Sequence, residues 1–494
     1  MGTETLILAI DQGTTNTKAI LVDQRGTIVS QASRPMAIEY PQAGWVQQDA
    51  AGIWQAVRAC VDECLAAAGS PALAAIGISN QRETGVAWER DSGAPIGPAV
   101  TWQCRRSADL CERLRADGRA PEITARTGLP VDPMFTAGKL RWLLDAAPDG
   151  QARAAAGEIC VGTVDSWLLW NLTGGTRHGT DVSNASRTQL MDIGAGAWDA
   201  GLSAAFGVPL AALPEILPSR AVFGESVAIG ALPGGVPIGA LVGDSHAALF
   251  GQAGFEPGCV KATYGTGSSL MMPTPTRLEA AGGLASTIAW GLDAIVYALE
   301  GNIYVTGAAV QWVADLVGLA GPGAVAELAA GCETTEGVYL VPAFVGLGAP
   351  HWDDAARGLL SGLTRGSSLA QLSRAAVESI AYQVRDVFDV MQAASGGALR
   401  VLLADGGVTR NAQLMQFQAD ILGVPVQRNN TPELSAMGAA YLAGLATGVW
   451  GSTDEIAALP RSVDRFEPQL VTSQRERLHG GWRAALARAT LHPS

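Results

Sequence analysis

The residues best suited to chemistry are two carboxylates at the ends of predicted strands. Asp11 follows the apolar run 6–10, and hard cations such as Mg²⁺ prefer carboxylate and water oxygens. Asp244 follows the apolar run 236–242, at the start of a short apolar helix. A carboxylate there can accept the proton of an alcohol whose oxygen attacks a γ-phosphoryl group. Asp244 could also be a helix N-cap, and the two roles are compatible.

Arg82 and Glu83 form a second candidate site, because they come just after the predicted strand 74–79. Ligands of open α/β sheets lie beyond such strand ends. Adjacent opposite charges suit a ligand rich in hydroxyl groups, to which arginine donates and from which glutamate accepts. The simpler alternative is an ion pair on the surface. Trp102 could lie against the carbon side of such a ligand, although most tryptophans are core residues. We interpret the isolated histidines as structural: His178, His246 and His351.

Turns rich in glycine and hydroxyl residues occur in both halves of the chain. One lies at Gly13 and the next three residues, and the other lies near Thr266 within residues 260–272. Each is flanked by apolar runs and predicts a β-hairpin, which alone could be an ordinary one. Their N–H and hydroxyl groups can donate to phosphate oxygens, and Lys18 adds a positive charge. A third glycine turn, 405–407, precedes a predicted helix whose N-terminus could meet a nucleotide.

The placement of these turns predicts a duplicated architecture. The expected fold class is α/β, with two actin-like or ribonuclease H-like domains that each have a mixed sheet with helices and flank a central cleft. No Gly-x-Gly-x-x-Gly follows the first strand and no Walker A sequence occurs, which argues against a Rossmann domain. The break Gly-Phe-Glu-Pro-Gly at 254–258 places the boundary between residues 1–252, with the candidate site at Arg82 and the first phosphate turn, and 253–494, with the predicted helix that could meet a nucleotide.

Hydrophobic periodicity predicts the elements that position these residues. A helix begins at Asp49, which can cap it, and the clearest helix covers residues 368–391. An alanine-rich helix at 434–448 has side chains small enough for close packing. The principal predicted strands cover residues 27–34, 74–79, 236–242, 399–403 and 424–428.

Composition narrows the class of function. The 494 residues are enough for two cores, and a net charge of −13 without a basic stripe argues against nucleic-acid partners. Seven scattered cysteines without a Cys-x-x-Cys pair are typical of reduced thiols. The sequence shows no signal-peptide pattern and no apolar run of membrane-spanning length. We therefore expect a cytoplasmic protein with no membrane partner.

Taken together, these stretches resemble the FGGY carbohydrate kinases, and within them most closely the glycerol kinases. The likeness covers nearly the whole chain, and its motifs occur in the family's order and spacing. They are residues 11–15, 80–83, 102–106, 162–167, 184–188, 264–267, 346–350 and 405–407.

The resemblance implies an ATP-dependent kinase that acts on a terminal hydroxyl of a small polyol, with glycerol first. It implies Mg²⁺ near Asp11 and a polyol bound by Arg82, Glu83 and Asp244, with Asp244 as the catalytic base. It also implies a homo-oligomer, dimer or tetramer. The implied phosphate contacts are Thr14, Thr15, Asn16 and Lys18, and the implied nucleotide contacts are Thr266, Gly307, Gln311, Gly407 and Asn411.

The departures from the glycerol kinases cluster around the substrate. Met134 stands where they usually carry tyrosine, Ser245 where they carry glutamine, and Ser269 where they carry an aromatic residue. Losing a polar contact to a buried hydroxyl costs about 1–3 kcal/mol, so glycerol binding should suffer. Lys18 stands where glycerol kinases usually carry arginine, so the positive charge is kept but the two parallel donors of a guanidinium group are lost. The loop 232–237 lacks the basic residue with which some glycerol kinases bind a sugar bisphosphate, so we expect that control to be missing.

Two alternatives remain open. Ser245, Ser269 and His246 could make room for a substrate of four or five carbons, such as erythritol, threitol, ribitol, xylulose or ribulose. A protein of another class, a non-catalytic actin-like ATP switch, would leave Arg82, Glu83 and Asp244 without a purpose.

Overall fold

The computed structural model of the chain describes residues 5–280 and 282–491. The elements of the first half are β1 (Leu6–Gln12), β2 (Asn16–Val22), β3 (Ile28–Pro35), β4 (Gln47–Gln48), α1 (Ala50–Ala67), β5 (Leu73–Asn80), β6 (Gly85–Glu89), β7 (Ala99–Val100), α2 (Ala108–Ala116), α3 (Ala120–Thr127), α4 (Thr136–Ala146), α5 (Gly150–Ala155), β8 (Ile159–Thr163), α6 (Val164–Leu172), β9 (Gly179–Asp181), α7 (Val182–Ala185), β10 (Met191–Asp192), β11 (Ala197–Trp198), α8 (Ala200–Phe206), β12 (Glu215–Leu217), β13 (Arg220–Glu225), β14 (Pro237–Gly243) and α9 (Asp244–Gly251), with a 3₁₀ turn at Leu210–Ala212.

The second half begins after a connection at residues 252–258. Its elements are β15 (Cys259–Tyr264), β16 (Ser268–Thr274), β17 (Ala285–Gly291), β18 (Ile295–Ile303), α10 (Gly307–Val317), α11 (Pro322–Ala330), β19 (Tyr339–Val341), β20 (Leu359–Ser361), α12 (Leu369–Ser395), β21 (Val401–Asp405), α13 (Ala412–Leu422), β22 (Val426–Asn429), α14 (Leu434–Thr447), α15 (Thr453–Ala457), β23 (Val463–Phe466) and α16 (Thr472–Ala489), with a 3₁₀ turn at Gly407–Arg410.

The two principal sheets share one topology, which confirms the predicted duplication. The first sheet has the order β13-β14-β5-β1-β2-β3, and the second has the order β23-β22-β21-β15-β16-β18 with β17 added at its edge. In the first sheet β2 pairs antiparallel with both β1 and β3, and β5 and β14 continue parallel to β1 on its other side. In the second sheet β16 pairs antiparallel with both β15 and β18, and β21 and β22 continue parallel to β15. The outermost strand is antiparallel again in both sheets.

Local signals account for the predicted helix boundaries. Asp49 caps α1 by accepting a hydrogen bond from the N–H of Ala51, and the apolar stripe from Ile53 to Cys64 is buried. Ser368 caps α12 with its side chain, and its own N–H donates to Gln371 Oε1 at 2.9 Å, which completes a capping box. The N-cap role considered for Asp244 is wrong, because α9 begins at Asp244 itself and its N-cap is Gly243. The side chain of Asp244 is therefore not needed as the cap.

Helix α14 belongs to the second half by sequence but packs against β1, β5, β14 and α9 of the first. The contact with α9 depends on a glycine, since a Cβ at Gly438 would lie 1.8 Å from the carbonyl oxygen of Ala247. The packing of α14 joins both halves in one hydrophobic core. The domain boundary at residue 252/253 remains a proposal. Across residues 5–280 and 282–491, no single helix is long and apolar enough to span a membrane, and α10 with α11 reaches that length only as a pair bent by 91°.

Candidate active site

Two cavities adjoin each other, and the first of them opens between the halves. The first, of about 740 Å³, is polar and is lined by Asp11, Lys18, Asp244 and Ser245 from the first half. The second, of about 1140 Å³, is more apolar and belongs to the second half. The two cavities meet at the 3₁₀ turn after β21, where Gly407 and Arg410 line both cavities. All five predicted nucleotide contacts line the second cavity: Thr266, Gly307, Gln311, Gly407 and Asn411.

Asp11 lies at the end of β1, opposite Lys18 on β2. Its carboxylate accepts a hydrogen bond from Ser79 Oγ at 2.9 Å. Burial, and then the negative charge of Asp244, raise the pKa of Asp11 to about 7. Lys18 Nζ is 2.6 Å from a carboxylate oxygen of Glu433, just before α14. Within the described ranges no group of three or more His, Cys, Asp or Glu side chains is arranged to hold a metal ion.

The turn of the first hairpin carries the predicted phosphate contacts. Thr15 and Asn16 are exposed, and the N–H of Gly13 donates to the carbonyl oxygen of Asn16. Trp102, predicted to lie against the polyol, donates from Nε1 to Thr14 Oγ1 at 3.0 Å and keeps 38% of its surface exposed. The structure thus places Trp102 beside the hairpin turn.

The polyol candidates Arg82 and Glu83 are buried, so the alternative of a surface ion pair is wrong. Arg82 donates from Nε to Asp244 Oδ1 at 3.1 Å and from Nη1 to Glu300 Oε1 at 2.7 Å. Arg187 donates from Nε to Glu83 Oε1 at 2.6 Å, and its Nη2 is 2.7 Å from Glu300 Oε2. Two guanidinium groups and three carboxylates therefore form one network at the wall of the cleft.

Arg187 and Glu300 are members of this network that the sequence did not assign. Arg187 lies in one of the motifs on which the family resemblance depends, but nothing in the sequence gave it a partner. Glu300 is the one charged residue of the largely apolar strand β18, and its side chain is fully buried. A lone carboxylate inside an apolar strand is the signal that could have found it, because buried charges are paired.

Asp244 is the carboxylate predicted to act as the catalytic base. It is the first residue of α9, and its Oδ1 accepts from the N–H of Ser245 at 2.6 Å. Burial raises its pKa above the ordinary value, and the guanidinium of Arg82 opposes that rise. Ser435 of α14 donates to the carbonyl oxygen of Asp244 at 3.1 Å, so elements of both halves fix this residue.

The three positions that depart from the glycerol kinases lie around the same network. Met134 is half-buried, and its N–H donates to Asp132 Oδ1 at 2.8 Å while its carbonyl oxygen accepts from Lys139. Burial lowers the pKa of Lys139 to about 7. Ser245 lines the polar cavity, and Ser269 Oγ is 3.3 Å from Glu300 Oε1. Next to Ser245, His246 is fully buried, and burial holds its pKa well below the ordinary value.

Comparisons with known proteins agree with this geometry. Residues 6–251 match the N-terminal domain of the FGGY family of carbohydrate kinases, and residues 260–447 match its C-terminal domain. An apulose kinase from Pectobacterium atrosepticum is 48% identical over 490 residues, with 99% of each chain covered. A glycerol kinase from Symbiobacterium thermophilum is 49% identical over 493 residues, with 98% of each chain covered.

A solved structure agrees as well. The crystal structure of Plasmodium falciparum glycerol kinase with ADP superposes with a TM-score of 0.95 at 32% identity, covering 99% of each chain. The predicted two-domain fold and the predicted class of enzyme are both confirmed. This chain belongs to the FGGY family of carbohydrate kinases.

Proposed function

We propose that the protein transfers the γ-phosphoryl group of ATP to a terminal hydroxyl of a small polyol, with glycerol as the first candidate. The observation that carries this proposal is the meeting of the two cavities. The apolar cavity has the size and lining for a nucleoside, and the polar cavity beside it holds Asp244 next to Arg82. The glycerol kinases among the relatives, at about half identity and nearly full length, support the same activity.

The polar cavity fits Mg·ATP. The carboxylate of Asp11 lines this cavity, and Mg²⁺ is usually bound through only one or two carboxylates, with water and phosphate oxygens as its other ligands. When bound, Mg²⁺ neutralises charge on the phosphates during transfer. Lys18 supplies a positive charge beside Asp11, and the turn at Thr14 supplies hydroxyl and N–H donors. We assign the phosphates to this hairpin and to the turn at Gly407.

Asp244 is assigned the role of general base. Its carboxylate is oriented from two sides, by Arg82 Nε and by the N–H of Ser245, which leaves the second oxygen for the polyol hydroxyl. Its raised pKa makes it a better proton acceptor than an exposed aspartate. Arg82 and Glu83 hold the remaining hydroxyls, and the cleft excludes water from the transfer.

A second candidate is a polyol or ketose of four or five carbons. Ser245 and Ser269 are both shorter than their counterparts in glycerol kinases, and both border the polar network. Met134 offers no hydroxyl group at all. The apulose kinase relative supports this candidate, because its name assigns it a sugar substrate rather than glycerol.

The test is ATP-dependent release of ADP against a panel of acceptors: glycerol, erythritol, threitol, ribitol, xylitol, xylulose, ribulose and apulose. Highest kcat/KM on glycerol supports the first candidate, and highest kcat/KM on a longer acceptor supports the second. Release of ADP that no acceptor accelerates would contradict both and favour an ATP switch.

The variant Asp244→Asn separates a kinase from a switch. We expect kcat to fall by about 10²- to 10⁴-fold with nucleotide affinity retained, as for loss of a general base. An unchanged rate would remove Asp244 from the chemistry. The homo-oligomer and the cytoplasmic location expected from the sequence remain predictions that belong to this proposal.

A further inference from the structure

The polar network at the polyol side is completed by one residue of the second half. Arg82, Glu83 and Arg187 belong to the first half, whereas Glu300 lies on β18 of the second sheet. The two oxygens of Glu300 are shared between two guanidinium groups, with 2.7 Å to Arg82 and 2.7 Å to Arg187. We propose that Glu300 is a positioning residue that sets the orientation of Arg82 and Glu83 toward the polyol.

The strand that carries Glu300 is fixed to the first half. Both β17 and β18 form hydrogen bonds across the boundary, so these contacts set the position of the Glu300 carboxylate relative to Arg82. These bonds are Ser286 N to Gly128 O at 2.9 Å, Ser186 Oγ with Thr287 Oγ1 at 2.8 Å, Gly291 N to Ser219 Oγ at 3.0 Å and Tyr297 Oη to Ile193 O at 3.2 Å.

The carboxylate of Glu300 is ionised in this setting. Burial alone would raise its pKa, but Arg187 and Arg82 together hold the pKa below its ordinary value. The pair of arginines depends on it in turn, because without Glu300 two buried cations would share only Asp244 and Glu83. Arg82 would then be drawn toward Asp244, its one remaining partner, and its donors would leave the polyol.

This network makes the polyol site a joint product of the two halves. Arg187 binds Glu83 and is itself bound by Glu300. The carboxylate of Glu300 therefore controls the positions of both proposed polyol ligands, Arg82 and Glu83. Misplacing a binding group by about 1 Å can cost about a hundredfold in rate. The inference rests on the proposed function, since it concerns the polyol that the kinase would phosphorylate.

The test is steady-state kinetics of Glu300→Gln with the best acceptor of the wild-type panel. We expect the KM for the polyol to rise tenfold or more while the KM for ATP stays within about twofold, because the nucleotide cavity does not include the network. A purely structural role would instead lower kcat and the melting temperature and leave both KM values unchanged. Unchanged polyol KM, or an equal rise in both KM values, overturns the inference.

A matched control is Asp386→Asn on α12. Asp386 is also a buried carboxylate of the second half, and it accepts hydrogen bonds from His479 at 2.8 Å and Trp482 at 2.7 Å, neither of which belongs to the network. We expect its loss to lower stability and leave the polyol KM unchanged.

The shorter acid Glu300→Asp keeps the charge and guards against a glutamine variant that fails to fold. We expect its polyol KM to lie between the wild-type value and that of Glu300→Gln, or to be raised severalfold if it alone folds. A wild-type polyol KM in Glu300→Asp together with an unfolded Glu300→Gln overturns the inference. Failure of the proposed function would appear differently, as a wild-type protein that phosphorylates no acceptor.

Discussion

Restoring the residues usual in glycerol kinases at two positions should improve the use of glycerol. The variant is Met134→Tyr with Ser245→Gln. The N–H of residue 134 donates to Asp132 and its carbonyl oxygen accepts from Lys139, so a new side chain there extends from a backbone that hydrogen bonds fix in place. Residue 245 lies in the first turn of α9 and lines the polar cavity beside Asp244. Both new side chains would therefore extend from ordered backbone, and the one at residue 245 would enter the polar cavity.

The expected gain follows from two added hydrogen bonds. A hydrogen bond between protein and ligand contributes about 0.5–1.5 kcal/mol net, so two contribute about 1–3 kcal/mol. At about 1.4 kcal/mol for each factor of ten, kcat/KM for glycerol should rise by roughly five- to 150-fold. The same bulk narrows the space beside Ser245, so kcat/KM for acceptors of four or five carbons should fall.

The assay is ADP release with glycerol and with the best longer acceptor, measured for the double variant and a matched control. The control is Met134→Phe with Ser245→Met, which adds similar bulk without the hydroxyl and amide groups. If the control gains as much for glycerol as the double variant, shape rather than hydrogen bonding explains the effect. If the double variant gains nothing for glycerol, the explanation of specificity by these two positions is refuted.

Three further outcomes test packing, electrostatics and pH dependence. Gly438→Ala places a methyl group against an α9 carbonyl oxygen and should cost about 1–3 kcal/mol of unfolding free energy in urea, whereas Gly480→Ala, whose Cβ would meet nothing within 4 Å, should cost nothing. Glu433→Gln frees the part-exposed Lys18 and should tighten binding of an ATP analogue by about two- to fivefold in calorimetry; weaker binding would contradict this. Burial lowers the pKa of His178 to about 4 from an ordinary 6.5, so the unfolded chain binds more protons between these values. The unfolding free energy should therefore fall by about 3 kcal/mol as pH drops through that window, and His178→Gln should remove this part of the slope in denaturant titrations.

The sequence predicted the parts of the fold that local chemistry determines. Both hairpins formed where apolar runs flank a turn of glycine and hydroxyl residues, and Asp49 and Ser368 cap the helices they precede. The packing of α14 on the first sheet could not be predicted in this way. Its alanine and glycine content indicated close packing, but the partner is chosen by tertiary structure, since the helix is apolar on all sides.

The candidate site was predictable where motifs name residues and unpredictable where charges pair over long separations. Asp244 and the five predicted nucleotide contacts line the cavities, and their roles stay predictions. The pairing of Arg82 with Glu300 joins residues 218 positions apart. No local pattern encodes such a contact, because it requires both sheets to be assembled before the two side chains meet. Trp102 illustrates the same limit, since its indole reaches the hairpin turn at Thr14.

The location of Glu300 changes how specificity in this cleft should be explored. Ser269 donates toward Glu300, the carboxylate that orients Arg82, so its hydroxyl group borders the network that holds the polyol ligands. We call this network of Arg82, Glu83, Arg187, Asp244 and Glu300 the frame of the site. An aromatic residue at position 269 would cover that frame, whereas serine leaves it open to an additional hydroxyl of the substrate. Changes at Met134 and Ser245 alter what the polyol meets, and changes at Glu300 alter the frame that holds the polyol ligands. Because the first kind should redistribute kcat/KM among acceptors and the second should weaken every acceptor alike, one substrate panel run on both sets of variants distinguishes them.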